Sequence, residues 1–431
     1  MSNNHAHKAL TSENLGRNAI HSSHTTEPYS HVTIVDLAKQ QHNIPTAQAG
    51  AFNCYKRPGG TFVQPENAIP GTAMSGSGSE SYLDYIIPNN LGLIDGVHLA
   101  WTVRMVSAAS GNTLTQLPAW LQIARCEIFA GTGSTTTATL RGADMHHLWL
   151  ASVPDEQYEI LANDYGLDTS SKASTQTYAT STGASQTFER TFRVKIPSIF
   201  ESRLFLPGIE GDVRIRIYFK EGFTSAVTGS PVLSLSTSQL EVDHVELTSS
   251  DWNRLYKLHR SSTGVSYRWC DLHNSSHNFS VSNGTEYSQI LNSHQSSACA
   301  GLLVYFRQQS LTNQHTFYSA TSLKLEDDRG EKLTEVLSDQ QLVRRVYPQT
   351  GYPGNGIVSV RAYHIPFCIS LAAAFQGTVS GMLALSSRDK ISFVGSSALA
   401  AAGSGSVKLE VTSINFCTLQ VRNGRVTVLR S

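Results

Sequence analysis

The feature that most constrains this 431-residue chain is a series of strand-like stretches that occurs twice in the same order. Each of the stretches Cys126–Phe219 and Leu303–Val394 contains a strand, a short turn-rich element, a strand marked by proline and a final alternating strand. Asp212–Phe219, for example, alternates apolar and polar residues, as expected for a strand with one buried face. The repetition predicts an all-β chain with two similar halves.

The length of the chain also favours two domains, because single cores stop growing beyond roughly 250–300 residues. We predict β domains over residues 80–247 and 263–431, joined by a linker over residues 248–262. The linker has the pattern of a short helix with Ser or Asp as its N-cap. Within the second domain, Glu331–Val346 also has the pattern of a short helical segment, whereas the polar stretch Leu161–Gln186 of the first domain predicts an exposed excursion between strands.

Residues 1–79 differ from the rest and are predicted to form an N-terminal arm. The arm is polar and rich in histidine at first, and rich in Gly, Ala and Pro towards its end. Only His31–Gln41 has a pattern compatible with a helix. A segment of this kind frays or is ordered by packing against a partner.

The charge composition argues against nucleic-acid recognition and favours association. The 33 basic and 33 acidic residues cancel, and only 15% of residues are charged. No basic patch of the kind that binds nucleic acid is visible. Low surface charge suits a subunit that associates with copies of itself. No apolar run reaches the length of a spanning helix and the first residues contain no secretory signal, so we expect a soluble protein made in the cytosol.

The candidate chemical residues are interpreted as structural. Asp144, His146 and His147 could suggest metal or acid–base chemistry, but adjacent histidines on a strand would point to opposite faces. Asp327–Asp328 is a carboxylate pair in a predicted turn before Gly330. The arm could bind metal only weakly and adventitiously through its histidines, which include His5, His7, His21, His24 and His31.

Cysteines and sequence motifs add no catalytic, cofactor or metal site. Three possible glycosylation sites are interpreted as a polar loop before the second domain, at Asn274, Asn278 and Asn283. The cysteines are far apart and are predicted to be buried, reduced thiols, at Cys54, Cys126, Cys270, Cys299, Cys368 and Cys417. No nucleophile elbow, P-loop, zinc-protease helix or dinucleotide fingerprint occurs. We therefore predict a protein that is not an enzyme and has no cofactor.

Several segments, taken in order, resemble the double jelly-roll major capsid proteins of icosahedral double-stranded DNA viruses. In that family a Glu-Ile-type strand precedes a Trp-containing helix, and Cys126–Gly131 and His147–Leu150 are similar to this pair. An Ile-Pro strand, a Leu-Pro segment and an alternating strand follow in the family, and the similar segments here are Lys195–Pro197, Leu204–Pro207 and Val213–Ile217. Further partial matches are Leu240–Asp243, Val360–Tyr363 and Thr378–Ser386.

The resemblance implies two tandem eight-stranded jelly rolls in a non-enzymatic virion protein that assembles inside the host cell. Three subunits would form a pseudo-hexagonal capsomer, and capsomers would tile an icosahedral shell around double-stranded DNA. Leu161–Gln186 would form an outward turret. The arm would lie at the base and contact neighbouring capsomers, penton and minor capsid proteins, or an internal membrane. Two alternatives remain open: a vertex (penton) or minor capsid protein, and a carbohydrate-binding β-sandwich protein.

Overall fold

The computed structural model describes most of the chain after the predicted arm. The described residues are 54–56, 61–66, 82–107, 113–116, 118–133, 136–152, 161, 163–166, 176–179, 186–197, 199–219, 224–228, 232–308, 317–334, 337–338, 362–369, 371–375, 377–402 and 407–430. Within them, no helix is long and apolar enough to cross a membrane.

The first half is built from short and long antiparallel strands. In chain order they are β1 (Cys54–Lys56), β2 (Thr61–Val63), β3 (Tyr82–Ile87), β4 (Leu93–Ser107), β5 (Thr113–Gln116), β6 (Ile123–Gly131), β7 (Ala138–Arg141), β8 (Gln176–Ala179), β9 (Gln186–Lys195), β10 (Asp212–Phe219), β11 (Thr224–Thr228) and β12 (Val232–Leu247).

The second half has the same character. Its strands are β13 (Val265–Phe279), β14 (Glu286–Ile290), β15 (Ser296–Gln308), β16 (Phe317–Tyr318), β17 (Ser322–Glu326), β18 (Leu337–Ser338), β19 (Ala362–Pro366), β20 (Leu383–Leu385), β21 (Lys390–Val394), β22 (Val407–Arg422) and β23 (Arg425–Arg430). The described α-helices of the whole chain are α1 (Gly142–Ser152), α2 (Ser249–His259), α3 (Leu371–Phe375) and α4 (Ser397–Ala401).

Both halves pair their strands in the same order, which is that of a jelly roll. In the first, β1 and β2 both pair with β12, which continues to β4 and β9, and the facing sheet runs β3-β10-β6-β7. In the second, the equivalent sheets run β13-β22-β15-β19 and β14-β21-β17-β18. We call these halves the first and second jelly rolls. The predicted all-β double jelly roll is therefore confirmed.

The two repeated stretches predicted from the sequence, Cys126–Phe219 and Leu303–Val394, end at equivalent strands of the two jelly rolls but do not begin at equivalent strands. Phe219 and Val394 both end the seventh strand of their roll. Cys126, however, lies in the fourth strand, β6, whereas Leu303 lies in the third strand, β15. The strand of the second roll that is equivalent to β6 is β17. The offset arose because alternation predicts that a segment is a strand but does not identify its position in the fold.

Two short strands inside the predicted arm belong to the first jelly roll. Cys54 pairs with Leu247, and Thr61 pairs with Val242 on the same strand, β12. The arm of residues 1–79 therefore contains the first strand of the roll. The remaining domain limits stay predictions. The linker contains helix α2, whose N-cap is Thr248 rather than the predicted Ser or Asp, since the Thr248 hydroxyl accepts from the Asp251 amide.

Two local predictions need correction. The predicted helix at Glu331–Val346 is wrong where it is described, because Leu337–Ser338 pairs with β17 and the Leu333 amide donates to the Leu325 carbonyl at 2.9 Å. These pairings to β17 override the local helical pattern, and residues 339–346 lie outside the described part of the chain. The predicted excursion Leu161–Gln186 contains a strand, β8, which pairs with β5.

Strand β15 explains why the run Ala300–Phe306 is almost continuously apolar. Leu302, Val304 and Phe306 lie in the core of the second jelly roll. The intervening Leu303 and Tyr305 belong to the buried cluster that fills the first jelly roll and extends into the second. A strand buried on both faces loses the alternation of a half-buried strand. The apolar cluster of the first roll therefore continues onto the outer face of the second roll's large sheet, whose inner face packs into the second roll's own core.

Candidate functional site: the junction of the two jelly rolls

The two jelly rolls lie side by side and point in the same direction. The loop before the seventh strand of each roll reaches the same residue, Arg268 on β13. In the first roll the Ser202 hydroxyl donates to the Arg268 carbonyl. In the second roll a Cβ on Gly377 would lie 2.6 Å from that carbonyl oxygen. Corresponding ends of the two rolls are therefore neighbours, and we call this the basal end.

Helix α1 connects the rolls through a fully buried carboxylate. The helix follows strand β7 directly, so Asp144 lies in its first turn. Asp144 Oδ1 accepts hydrogen bonds from the Tyr305 hydroxyl at 2.9 Å and the Thr412 hydroxyl at 2.8 Å. Both donors belong to the second jelly roll, so these bonds fix the helix of one roll on the large sheet of the other.

A second buried carboxylate, Glu410, binds arginine side chains from both rolls. Its oxygens accept from Arg307 Nε at 2.7 Å, from Arg141 Nη1 at 3.3 Å and from the Ser276 hydroxyl. Arg141 comes from the first roll and the other donors from the second. A buried ion is tolerated when its lone pairs are satisfied in this way. Arg141, Asp144, Tyr305, Arg307, Glu410 and Thr412 together form what we call the junction.

The junction shifts the pKa values of its two carboxyls in opposite directions. Burial raises the pKa of Asp144 to about 6, against the opposing effects of Arg141 and the hydrogen bonds from Thr412 and Tyr305. Burial also acts to raise the pKa of Glu410, but Arg307, Ser276 and Arg141 outweigh it, so the net pKa is lowered. Glu410 is thus a compensated ion, whereas the charge of Asp144 is only partly compensated.

His146 and His147 lie on helix α1, as the resemblance of His147–Leu150 to a Trp-containing helix implies, so the interpretation of these two histidines as strand residues is wrong. Both side chains are buried. The His147 ring packs against Tyr305 and Phe317, with ring centroids 4.8 and 4.4 Å apart. Burial lowers the pKa of His147 well below its ordinary value, so the ring is neutral. In the described part of the chain, no group of three His, Cys, Asp or Glu residues is arranged to hold a metal ion.

The other candidate residues also take structural positions. Asp327 Oδ1 accepts from the amides of Arg329 and Glu331 inside the predicted turn. Asn274 and Asn278 lie on β13 rather than in the predicted polar loop, and only Asn283 lies in a turn. Asn274 donates to the Thr412 hydroxyl at 2.8 Å, beside the junction. The N-terminal histidines lie outside the described residues.

The described cysteines are free and buried, as predicted, at Cys126, Cys270, Cys299, Cys368 and Cys417. Burial raises the pKa of the Cys270 thiol well above its ordinary value. Such thiols stay protonated and behave as small apolar side chains. The side chain of Cys54 lies outside the described part of the chain.

Most residues of the junction were not predicted from the sequence. Asp144 was considered, but Tyr305, Thr412, Arg307, Arg141 and Glu410 were not. One signal was available, because Glu410 is a charged residue in the apolar run Val407–Val411. A charge in such a strand is rarely buried unless it is paired.

The end of the first jelly roll opposite to the basal end carries a small additional sheet. Strands β4, β9 and β12 all reach this end, where Ser107 pairs with Gln186 and Val106 pairs with Val232. The connections beyond them contain β5, β8 and β11, which form a three-stranded sheet in the order β11-β5-β8. Three separate loops therefore combine into one projection, which we call the outer sheet.

The large sheets of the two rolls differ in how their outer surfaces are covered. In the second roll, Leu303 and Tyr305 are covered by the first roll. In the first roll, the equivalent surface carries polar pairs at its exterior, such as the ion pair of Arg193 Nε with Glu241 Oε2 at 2.6 Å and the contact of His98 Nδ1 with Asp243 at 3.6 Å. Phe62 on β2 is 60% exposed. Within the described part of the chain, the first roll therefore presents an uncovered surface where the second is covered.

Comparison with solved structures identifies the same fold in viral capsid proteins. The capsid of PBCV-1 virus matches with a TM-score of 0.58 and 14% identity, over 88% of this chain and 98% of that chain. The Faustovirus major capsid protein matches with a TM-score of 0.55 and 10% identity, over 96% and 99% of the two chains. The mavirus major capsid protein matches with a TM-score of 0.53 and 10% identity, over 90% and 94%. No protein-family model matches the chain, and no curated protein matches it in sequence.

Proposed function

We propose that this chain, which has the double jelly-roll fold found in those capsid proteins, is a major capsid protein located in the virion shell. The observation that carries the proposal is the side-by-side arrangement of two rolls with corresponding ends together. The similar proteins are matched over nearly their whole length, so the likeness extends to both rolls and to their arrangement. The role is structural, and its physical basis is the burial of surface between subunits rather than catalysis.

The unequal coverage of the two large sheets supports a closed ring of identical subunits. Within one chain, helix α1 and strands β6 and β7 of the first roll contact the large sheet of the second. The equivalent sheet of the first roll has no such cover among the residues that the structure describes, and we propose that another copy covers it. Contacts of this head-to-tail kind form rings when the rotation closes. Three copies supply six similar rolls, so we propose a homotrimer with a pseudo-hexagonal outline.

The ends of the rolls suggest which surface faces outward. The outer sheet projects from one end, and we propose that it forms the turret of the capsomer. The basal end would then face the particle interior, where residues 1–53 would contact neighbouring capsomers, penton and minor capsid proteins or an internal membrane. In this proposal the capsomers tile an icosahedral shell around double-stranded DNA.

Electron microscopy of the purified full-length chain tests the proposal directly. Class averages with a pseudo-hexagonal outline and three projections are expected for a trimer that carries three outer sheets. Pentagonal averages would assign the chain to the vertex of a shell instead. Isolated single subunits at micromolar concentration would contradict a capsomer role.

A further inference from the structure

A polar cleft of about 630 Å³ lies between the two jelly rolls, beside the junction. Its volume is within the range of ligand sites in proteins. Residues Asp271–Ser276, a continuous piece of strand β13, form one wall, and residues of β6, β7 and α1 contribute from the first roll. A wall made by a continuous strand suits an extended ligand better than a compact one.

Strand β13 has a free edge along this wall, because it pairs with β22 over its whole length and with no other described strand. The Leu272 amide donates to the Asp271 carboxylate at 3.0 Å and is therefore directed away from β22. Amide directions alternate along an antiparallel strand, so the amides of Asn274 and Ser276 also point away from β22. Neither of these two amides has a hydrogen-bond partner among the described residues. A free edge of this kind is a template for pairing with an extended chain.

An arginine of the first roll lies beside this free edge. Arg141 Nη1 donates to the side-chain oxygen of Asn274, so the guanidinium lies at this position of β13. Arg141 is 39% exposed, whereas its carboxylate partner Glu410 is fully buried. Arg141 Nη2 has no hydrogen-bond partner among the residues that the structure describes. A ligand that enters the cleft therefore meets the guanidinium and not the carboxylate.

Two further arginines of the cleft add to its accessible positive charge. Arg125 and Arg430 are 32% and 52% exposed, whereas the carboxylates paired with them, Glu127 and Asp271, are 18% and 13% exposed. Asp144 also lines the cleft but is fully buried. The charge that solvent reaches is therefore mainly that of guanidinium groups, which favours a ligand with carboxylates.

We propose that the cleft binds an extended acidic segment of a partner protein, which adds an antiparallel strand to the free edge of β13. The residue opposite Asn274 pairs with it through both backbone groups, and its side chain lies on the same face of the sheet as that of Asn274. An acidic side chain at this position meets Arg141 Nη2. Backbone pairing supplies affinity in this mode, and the side chains supply specificity. The cleft lies within one chain, so the inference does not depend on the proposed capsid role.

Fluorescence anisotropy with the labelled, capped peptide Thr-Glu-Val-Glu-Val-Glu-Thr tests the proposal on the purified full-length chain. We expect saturable binding that weakens at least tenfold when lysine replaces each Glu of the peptide. Arg141→Gln should also weaken binding at least tenfold, whereas the matched control Arg388→Gln removes an exposed arginine of a turn outside the cleft and should bind as the wild type does. Absence of saturable binding, equal affinity for the acidic and the lysine peptide, or unchanged affinity of a folded Arg141→Gln protein, as checked by circular dichroism, would overturn the proposal.

N-methylated versions of the same peptide test the strand pairing on the wild-type chain alone. A methyl group on the central Glu removes the N–H that faces Asn274, so binding should weaken at least tenfold. A methyl group on the next valine lies at the opposite edge of the added strand and should change the affinity by less than about twofold. Equal losses with the two peptides would contradict strand addition. A short oligothymidylate should not displace the peptide, and displacement would assign the cleft to phosphate groups and overturn the proposal.

Discussion

The hydroxyl of Tyr305 in the second jelly roll donates a hydrogen bond of 2.9 Å to Asp144 in the first, across 161 positions of the sequence. Both side chains are buried. Together with Glu410 and its arginines, this pair makes the relative position of the two rolls depend on a few specific atoms. Changes to Tyr305, Glu410 and Asp144 should therefore alter the stability of the chain.

Removing the Tyr305 hydroxyl should weaken the junction without creating a large cavity. Tyr305→Phe leaves Asp144 with one donor fewer in a buried site, and we expect a loss of about 1–3 kcal/mol in the free energy of unfolding. Urea denaturation followed by circular dichroism measures it. Tyr287→Phe, which removes the hydroxyl that accepts an exposed hydrogen bond from the Ser282 amide, should change stability by less than about 0.5 kcal/mol. Equal effects of the two variants would contradict the role of the junction.

Neutralising Glu410 should be more costly than neutralising a surface carboxylate. Glu410→Gln leaves Arg307 and Arg141 beside an uncharged group, and removal of one partner of a buried ion pair costs about 3–5 kcal/mol. Glu241→Gln breaks the half-exposed pair with Arg193 and should cost at most about 1 kcal/mol. Thermal unfolding of both variants at pH 7 gives the comparison. A Glu410→Gln protein as stable as Glu241→Gln would show that the network does not hold the rolls together.

Asp144 should make the chain less stable as the pH rises. Its folded pKa of about 6 lies above the ordinary value of 3.8, so its favourable contribution is present at low pH and is lost as the pH rises through 6. Asp144→Asn carries no charge at any pH. We therefore expect the free energy of unfolding of this variant, relative to that of the wild type, to rise by up to about 3 kcal/mol between pH 4 and pH 8. A difference between the two proteins that does not change over this range would contradict the assignment.

Buried histidines should make the chain less stable as the pH falls, which is the opposite of the effect of Asp144. Burial lowers the pKa of His364 to about 4, and burial together with Arg260 lowers that of His259 to about 4, against the hydrogen bond to Leu255. The stability that each neutral ring provides is lost as the pH falls from 6.5 through 4, by roughly 3 kcal/mol per ring at pH 4.

The variant His364→Leu isolates one of these rings, because His364 Nε2 has no hydrogen-bond partner among the described residues. Its melting temperature should fall less than that of the wild type between pH 7 and pH 4. Identical acid sensitivity of the two proteins would contradict a contribution of His364 to the loss of stability in acid.

Local alternation was enough to predict most strands of the fold. It gave β10 with its observed bounds, Asp212–Phe219, because buried and partly exposed residues alternate along most of this strand. It failed for β1 and β2, which are too short to show a period and are interrupted by Pro58, Gly59 and Gly60. Their place in the sheet depends on pairing with β12, almost two hundred residues later.

The junction was beyond local prediction for a similar reason. Asp144 was singled out from the sequence, but its partners Tyr305 and Thr412 lie far along the chain and have no distinctive neighbours. The helix that carries Asp144 was indicated by the resemblance at His147–Leu150, although the interpretation of His146 and His147 assumed a strand. Only the packing of one roll on the other brings these side chains together.

The exposed surface of the first roll gives a test of how copies associate. Phe62→Asp places a charge on the uncovered large sheet, where the proposed ring brings in another subunit, and we expect at least a tenfold weaker association. Asn283→Asp adds the same charge in an exposed turn and should leave association unchanged. Sedimentation velocity across a concentration series measures both. Unchanged association of Phe62→Asp would place the interface elsewhere.

The mass of the full-length chain in solution tests the central claim most directly. Light scattering coupled to size exclusion at physiological salt should give about 141 kDa, three times the chain mass of 46.9 kDa. A mass of 46.9 kDa that persists up to high concentration would contradict the proposal that this double jelly roll is a capsomer subunit.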